Sequence, residues 1–221
     1  MEVKVMQDIL GRNDAVAARL REGFAARRVF ALNLMGSPGS GKTTLLEATL
    51  KALSGEMRIA VIEGDLFTTK DADRIEKCHA RVVQINTSGG CHLDAPMVEG
   101  ALAKLGEKPP DLIVIENVGN LVCPAEFDLG EDAKAVVLSV TEGDDKPMKY
   151  PLMFKESAVA LLNKTDLLPF TNFDLARATE DIMTIHPAAK VMPVSCTKGD
   201  GLESWYDWLR GRVAAKREGV P

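Results

Sequence analysis

Gly36-Ser37-Pro38-Gly39-Ser40-Gly41-Lys42-Thr43 decides the fold. The stretch satisfies G-x-x-x-x-G-K-[ST] and lies between an apolar run, Val29 to Met35 (VFALNLM), and a segment with apolar residues at helical spacing, Thr44 to Leu53 (TLLEATLKAL). Strand, loop and helix in that order are what phosphate binding needs. The glycines let successive backbone N–H groups turn toward a triphosphate, and the positive end of the following helix adds to the attraction. Lys42 is expected at the β and γ phosphates and the Thr43 hydroxyl on Mg²⁺. Gly36, Ser37, Pro38, Gly39, Ser40, Gly41 and Thr44 complete the nucleotide-binding set.

A chain of 221 residues is long enough for one sizeable core and short for two. The predicted class is α/β, a P-loop nucleotide-binding fold with a mostly parallel central sheet and helices on both faces. One domain, 1–221, is expected, with an N-terminal amphipathic helix from about Ile9 to Arg28 packed on it. The net charge of -5 speaks against a duplex-DNA partner, which needs a basic face. No run approaches the roughly 18 apolar residues of a membrane span, and Met1 to Gln7 lacks a signal-peptide layout. A cytoplasmic protein is expected, and in a reducing compartment its four cysteines point to metal rather than to disulfides.

Further apolar runs mark strands at Arg58–Glu63, Arg81–Asn86, Asp111–Glu116, Ala135–Thr141, Ala158–Leu162 and Lys190–Val194, with helices at Ala95–Leu105, Phe173–Ile185 and Gly201–Ala215. Asp144 to Lys155 reads as a connection with a helical stretch. In a parallel sheet, carboxylates at strand ends face the ligand. Asp65 is therefore either a second carboxylate near Mg²⁺ or the cap of a helix starting near Thr69. Leu66 to Arg74 reads as a switch segment, with Asp71 and Asp73 as solvated charges at a helix start. Glu116 ends a Walker-B-like run, and Gly119 after it is placed to give its amide to a γ-phosphate. Asp65, Glu116 and Asp71 all remain open as general base.

Asn163-Lys164-Thr165-Asp166 follows the late strand Ala158–Leu162 and matches N-K-x-D. The aspartate carboxylate accepts from the two N–H groups on guanine's Watson–Crick edge, whereas adenine would oppose an acceptor to an acceptor. A polar group left unpaired costs about 1–3 kcal/mol, so Asp166 favours GTP and GDP over the adenine nucleotides. Ser195, Cys196 and Thr197, at the end of the last strand, are expected to offer backbone amides to the base. A small-molecule kinase using ATP is the alternative that this signature opposes.

Cys91, His92 and Cys123 supply two thiolates and an imidazole, ligands suited to Ni²⁺ or Zn²⁺. Free cysteines are also frequently just buried, so spacing alone leaves both readings open. Cys78-His79 is the same dipeptide at a helix end and reads as structural. Taken together, the phosphate loop, Cys91-His92, Glu116-Asn117-Val118-Gly119-Asn120-Leu121-Val122-Cys123-Pro124 and Asn163–Asp166 resemble the HypB-type GTPases of hydrogenase maturation. The resemblance runs from about Val29 to Trp208.

The resemblance implies a nucleotide-dependent homodimer sharing Ni/Zn ligands at Cys91, His92 and Cys123, serving nickel insertion into [NiFe] hydrogenase. It also implies a HypA-type nickel-binding accessory protein and a hydrogenase large-subunit precursor as partners. Relatives that carry metal-binding cysteines or histidines ahead of the first helix differ from this chain, whose first eight residues have neither. A urease-type relative would carry Cys-Pro-His where this chain has Cys123-Pro124-Ala125. A zinc-storage protein gated by nucleotide is a further alternative. Asn120 stands where regulatory GTPases place a glutamine, so slow intrinsic hydrolysis is expected. Lys146 is either a contact across the dimer or an exposed loop lysine.

Overall fold

A computed structural model of the protein describes residues 2–65 (backbone only to residue 9), 75, 80–106 and 108–219. In chain order the elements are α1 (Glu2–Ala26), β1 (Phe30–Gly36), α2 (Lys42–Leu53), β2 (Ile59–Asp65), β3 (Arg81–Asn86), α3 (Ala95–Leu102) and β4 (Leu112–Glu116). They continue with α4 (Cys123–Glu126), β5 (Ala133–Ser139), α5 (Lys146–Lys149), α6 (Pro151–Lys155), β6 (Val159–Asn163), a 3₁₀ helix (Thr165–Phe170), α7 (Leu175–Ile185), β7 (Lys190–Pro193) and α8 (Leu202–Glu218).

The seven strands form one sheet in the order β3-β2-β4-β1-β5-β6-β7, and each neighbouring pair is parallel. The interior strands are buried on both faces, which is why they read as near-continuous apolar runs rather than alternating ones. On one face Phe30, Leu32 and Leu34 of β1 pack with Leu45, Leu46 and Leu50 of α2 and with Trp205 and Leu209 of α8 in one continuous cluster. Trp205 is fully enclosed there and donates its indole N–H to Thr49 Oγ1 at 3.0 Å, joining α8 to α2. The other face divides in two. Ala31 belongs to a cluster with α1 and α3, Met35 to one with α6 and α7, and the buried amide of Asn33 lies between them in sequence.

α1 is fastened by a polar clamp as well as by its apolar stripe. Buried Asn13 donates from Nδ2 to the Asp128 carbonyl at 2.8 Å and accepts at Oδ1 from the Ala95 N–H at 2.8 Å, while Arg21 pairs with Asp128 at 2.6 Å. The helix therefore docks over the start of α3.

All strands read from sequence are present, with ends shifted by at most two residues. The first helix begins at Glu2 instead of near Ile9, and α3 stops at Leu102 rather than Leu105. Asp144–Lys155 holds two short helices broken at Tyr150, because Pro151 has no N–H to continue the ladder. The 3₁₀ helix and α4 carry no periodicity long enough to read. Leu66–Arg74 (with Asp71, Asp73 and the helix start at Thr69) and Cys78-His79 lie outside the described residues.

At the bottom of the sheet, Asp111 accepts from Arg58 at 2.8 Å and from the Arg58 backbone N–H at 2.9 Å, and pairs with Arg217 at 3.0 Å. Arg58, followed by Arg217, holds the Asp111 carboxyl well below the usual range. A carboxyl depressed in the folded state stabilises the fold above its unfolded pKa of about 3.9 and loses that contribution as pH falls. Asp111→Asn is therefore expected to lower the urea midpoint at pH 7, with the gap to the parent narrowing below about pH 4. A gap independent of pH would place its origin elsewhere.

Candidate nucleotide and metal sites

The chain runs from β1 outward through β2 and β3, returns to insert β4 beside β1, then crosses to β5, so a crevice opens at the carboxyl end of β1. The phosphate loop fills that point. A cavity of about 360 Å³ there is lined by Pro38, Gly39, Gly41 to Thr44, Glu63 to Asp65, Glu116 to Gly119 and Lys164. The first turn of α2 forms its wall, and N–H groups in a first helical turn have no intrahelical acceptor, which makes the wall anion-binding. Lys42 is buried and donates from Nζ to the carbonyls of Gly36 and Ser37, each at 3.2 Å. The Thr43 hydroxyl donates to Glu116 Oε1 at 2.7 Å.

Glu63 was not apparent as a site residue in the sequence. It and Glu116 are register partners on β2 and β4, both buried, and both line the cavity with Asp65. The signal was present in the matched runs RIAVIE and DLIVIE, each ending in glutamate. Thr43, Asp65 and Glu116 make an all-oxygen donor set of the kind hard divalent cations take, so these residues fit Mg²⁺.

Asn163 acts as a brace. Its Nδ2 donates to the Ser40 carbonyl at 2.9 Å, and its Oδ1 accepts from the backbone N–H of Lys164 at 2.8 Å and of Cys196 at 3.3 Å. Gly41 has φ +102°, and a Cβ there would stand 2.3 Å from Asn163 Nδ2, so the close approach requires glycine. Lys164 reaches across to the Gly39 carbonyl at 2.7 Å. Ser195, fully buried, donates its hydroxyl to Asp166 Oδ1 at 2.5 Å and accepts from the Lys198 N–H at 3.1 Å. Thus Ser195 orients Asp166, and the Cys196 amide, expected at the base, is engaged with Asn163. Burial pushes the Cys196 thiol up to about 11, in keeping with a structural cysteine. Thr197 is exposed on the same loop.

The second site lies beside the first. Cys91 Sγ is 3.1 Å from Cys123 Sγ and 3.5 Å from His92 Nδ1, and the three ligand atoms all fall within 4.8 Å of one another. Ligands on one tetrahedral Zn²⁺ stand about 3.5–3.8 Å apart, so the cluster is close to closing on a single ion with one position left open. The His92 ring stacks on Phe127, centroids 3.8 Å apart. Burial lowers the His92 pKa against the opposing pull of Asp94 and Glu126, which keeps the imidazole in its neutral, ligating form. The hydrogen bond with Cys91, followed by burial, raises the Cys123 thiol.

Asn120 joins the two sites. Its backbone N–H donates to the Gly36 carbonyl at 3.1 Å, its Nδ2 to the Cys91 carbonyl at 3.3 Å, and its Oδ1 accepts from the Val122 N–H at 2.8 Å. Regulatory GTPases carry a glutamine at this position; here the shorter asparagine side chain holds the loops of Cys91 and Cys123. Asn117 lies behind it, accepting at Oδ1 from the N–H groups of Leu93 and Val118 at 3.0 Å each and donating to Asn33 Oδ1 at 3.2 Å. Asn33 in turn donates to Glu131 at 3.2 Å. Burial pushes the Glu131 carboxyl up, with Lys134 opposing.

A parallel sheet with a glycine-rich loop at its switch point and an N-K-x-D brace define a P-loop nucleotide-binding protein, and the Cys₂His cluster beside the loop is a candidate soft-metal site. Residues 30–193 match the family described as CobW/HypB/UreG, nucleotide-binding domain. The chain is 50% identical over 218 residues to the hydrogenase maturation factor HypB of Rhizobium leguminosarum bv. viciae, covering 99% of this chain and 72% of that protein. It is 40% identical over 223 residues to the hydrogenase/urease maturation factor HypB of Helicobacter pylori, covering 98% and 89%. The crystal structure of HypB from H. pylori in complex with nickel superposes with a TM-score of 0.87 at 39% identity, covering 95% of this chain and 97% of that one. The chain belongs to the HypB hydrogenase maturation factors of the CobW/HypB/UreG family.

Gly119 packs against the phosphate loop so tightly that a Cβ would stand 2.8 Å from the Pro38 backbone nitrogen. Gly119→Ala is expected to part the segment after β4 from the phosphate loop and weaken GDP binding about tenfold, or about 1.4 kcal/mol. Titration with a fluorescent GDP analogue measures this; parent-like affinity would mean that the two segments need not touch for binding.

Proposed function

We propose that the protein is a GTP-hydrolysing metallochaperone that takes Ni²⁺ as cargo at Cys91, His92 and Cys123 and releases it toward [NiFe] hydrogenase when its nucleotide state changes. The observation that carries this reading is Asn120, whose backbone is bonded to the phosphate loop and whose side chain is bonded to both arms of the cysteine cluster. A nucleotide loop and a metal loop hinged on one residue have a physical means of coupling.

With GTP bound, Lys42 exchanges the carbonyls of Gly36 and Ser37 for the β and γ phosphates, and Gly119 offers its amide to the γ-phosphate. Thr43, with Asp65 and Glu116, would hold Mg²⁺, which offsets phosphate charge. Asp65 and Glu116 both line this cavity, and both stay candidates for the carboxylate that faces the attacking water. Asp166, steadied by Ser195, selects guanine. The cluster's open coordination position favours a homodimer in which two chains share the ion, with Lys146 reaching across it.

The free thiols of Cys91 and Cys123 suit a reducing cytoplasm, and no described helix is long and apolar enough to cross a membrane. By the family's own practice the partners are a HypA-type accessory protein and a hydrogenase large-subunit precursor. Zn²⁺ competes for the same ligands. A urease-type GTPase is disfavoured by Ala125, where that branch is expected to carry histidine.

Replacing Asp166 with Asn is expected to weaken GTP and strengthen xanthosine triphosphate, whose base presents an acceptor where guanine has its amino group. Unaltered GTP preference in that variant would remove the base assignment, and preference of the parent for ATP would restore the kinase reading. Coupling is tested by titrating Ni²⁺ calorimetrically into protein loaded with GTP analogue or GDP. The expected difference is of the usual allosteric size, about 1–3 kcal/mol, with Ni²⁺ shifting the GTP-to-GDP preference by the same factor. Equal Ni²⁺ affinities would leave two unconnected sites.

A further inference from the structure

We propose that the buried polar chain Asn117–Asn33–Glu131–Lys134 sets the spacing between the two arms that carry the metal ligands, making these four side chains positioning residues for metal capture. The inference rests on the reading of Cys91, His92 and Cys123 as the metal site. One arm ends at Leu93, directly after His92, and its N–H donates to Asn117 Oδ1 at 3.0 Å. The other arm passes through Cys123 to Ala125, whose carbonyl accepts from Lys134 Nζ at 3.0 Å. Between those ends the chain is continuous: Asn117 Nδ2 to Asn33 Oδ1 at 3.2 Å, Asn33 Nδ2 to Glu131 Oε1 at 3.2 Å, and Glu131 Oε1 to Lys134 Nζ at 3.7 Å. Glu131 Oε2 is fixed by the Leu129 N–H at 2.6 Å.

The cost of this arrangement argues for a purpose. Asn33 is fully buried in the central strand between Leu32 and Leu34, and an aliphatic residue there would join the two clusters that this face keeps apart. In some proteins buried polar groups fix a geometry at a cost in stability. Here the geometry fixed is that of two loops from distant parts of the sequence. Asn120 ties the same loops on the nucleotide side, so the ligands are held between two struts, one responsive to nucleotide and one embedded in the sheet.

The test compares Lys134→Met with Glu131→Gln/Lys134→Met in the full chain bound to GDP, using Ni²⁺ alone as probe. The single variant leaves a buried carboxylate without its cation and is expected to melt at lower temperature. The double variant removes that charge and is expected to recover thermal stability, yet the tie to Ala125 is still lost. Both should bind Ni²⁺ about tenfold more weakly than the parent, the lower end for outer-shell changes at metal sites. The thiolate-to-nickel charge-transfer absorption should change in both, with GDP affinity within about twofold of the parent.

Parent-like Ni²⁺ affinity and absorption in the double variant would overturn the inference, reducing the network to a stability element. So would an equal loss of GDP binding. Cys91→Ala separates the two levels of the argument. If it binds Ni²⁺ as the parent does, the metal-site reading itself fails. If it loses Ni²⁺ while both Lys134 variants do not, the positioning role alone fails.

Discussion

The carbonyl of Gly36 is the point on which the functional half of the molecule turns. It ends the central strand and accepts from Lys42 Nζ on one side and from the Asn120 N–H on the other. The second bond is an antiparallel bridge in a sheet whose strand pairs are otherwise parallel among the described residues. It pulls the segment after β4 back across the phosphate loop instead of letting it run on into solvent. Gly119 is forced against Pro38 by that return, and the side chain of Asn120 is carried over the cysteine arms. A phosphate that draws Lys42 away from Gly36 therefore changes the hydrogen-bonding of the same oxygen that anchors the metal loop.

The sheet supplies the stiffness this needs. β1 is held on both sides by parallel neighbours and on both faces by helices, with Trp205 sealing one face and the α1 clamp at Asn13 securing the other. Against so rigid a frame, small displacements at the strand ends have only the loops to move. The brace at Asn163 makes the phosphate loop and the loop after β7 one rigid body, since its amide spans Ser40 and Cys196.

Much of this was legible in the sequence because burial on both faces writes itself as uninterrupted apolar runs, as in DLIVIE and AVALL, and because the phosphate loop and N-K-x-D have fixed spacing. What was illegible depends on register between strands that are not consecutive. Glu63 and Glu116 are 53 positions apart in numbering, and nothing local says that β4 returns to pair with β2 at that step. Asn33 in VFALNLM looks like one polar residue in a buried strand; its partners Asn117 and Glu131 come from either side of it in space and far along the chain. Asn120 reads in the sequence only as a shorter side chain than the glutamine of regulatory GTPases, and the fold adds that its amide holds Cys91 and Val122.

On the proposed reading, the buried network also lets Cys91 be exposed without being loose, beside a half-buried His92 and Cys123. Cys91 is open to solvent, and a site on loops alone would lose affinity to the conformational freedom of those loops. Holding the residues adjacent to the ligands, rather than the ligands themselves, resolves the conflict. The Cys91 sulfur stays accessible, while Leu93, Val122 and Ala125 carry the constraint through backbone groups. Of these three ties, two lead into the sheet through Asn117 and Lys134, and one leads to the phosphate loop through Asn120. On the proposed reading, the cysteine cluster is held by a fixed frame and meets the phosphate loop through the Asn120 contact.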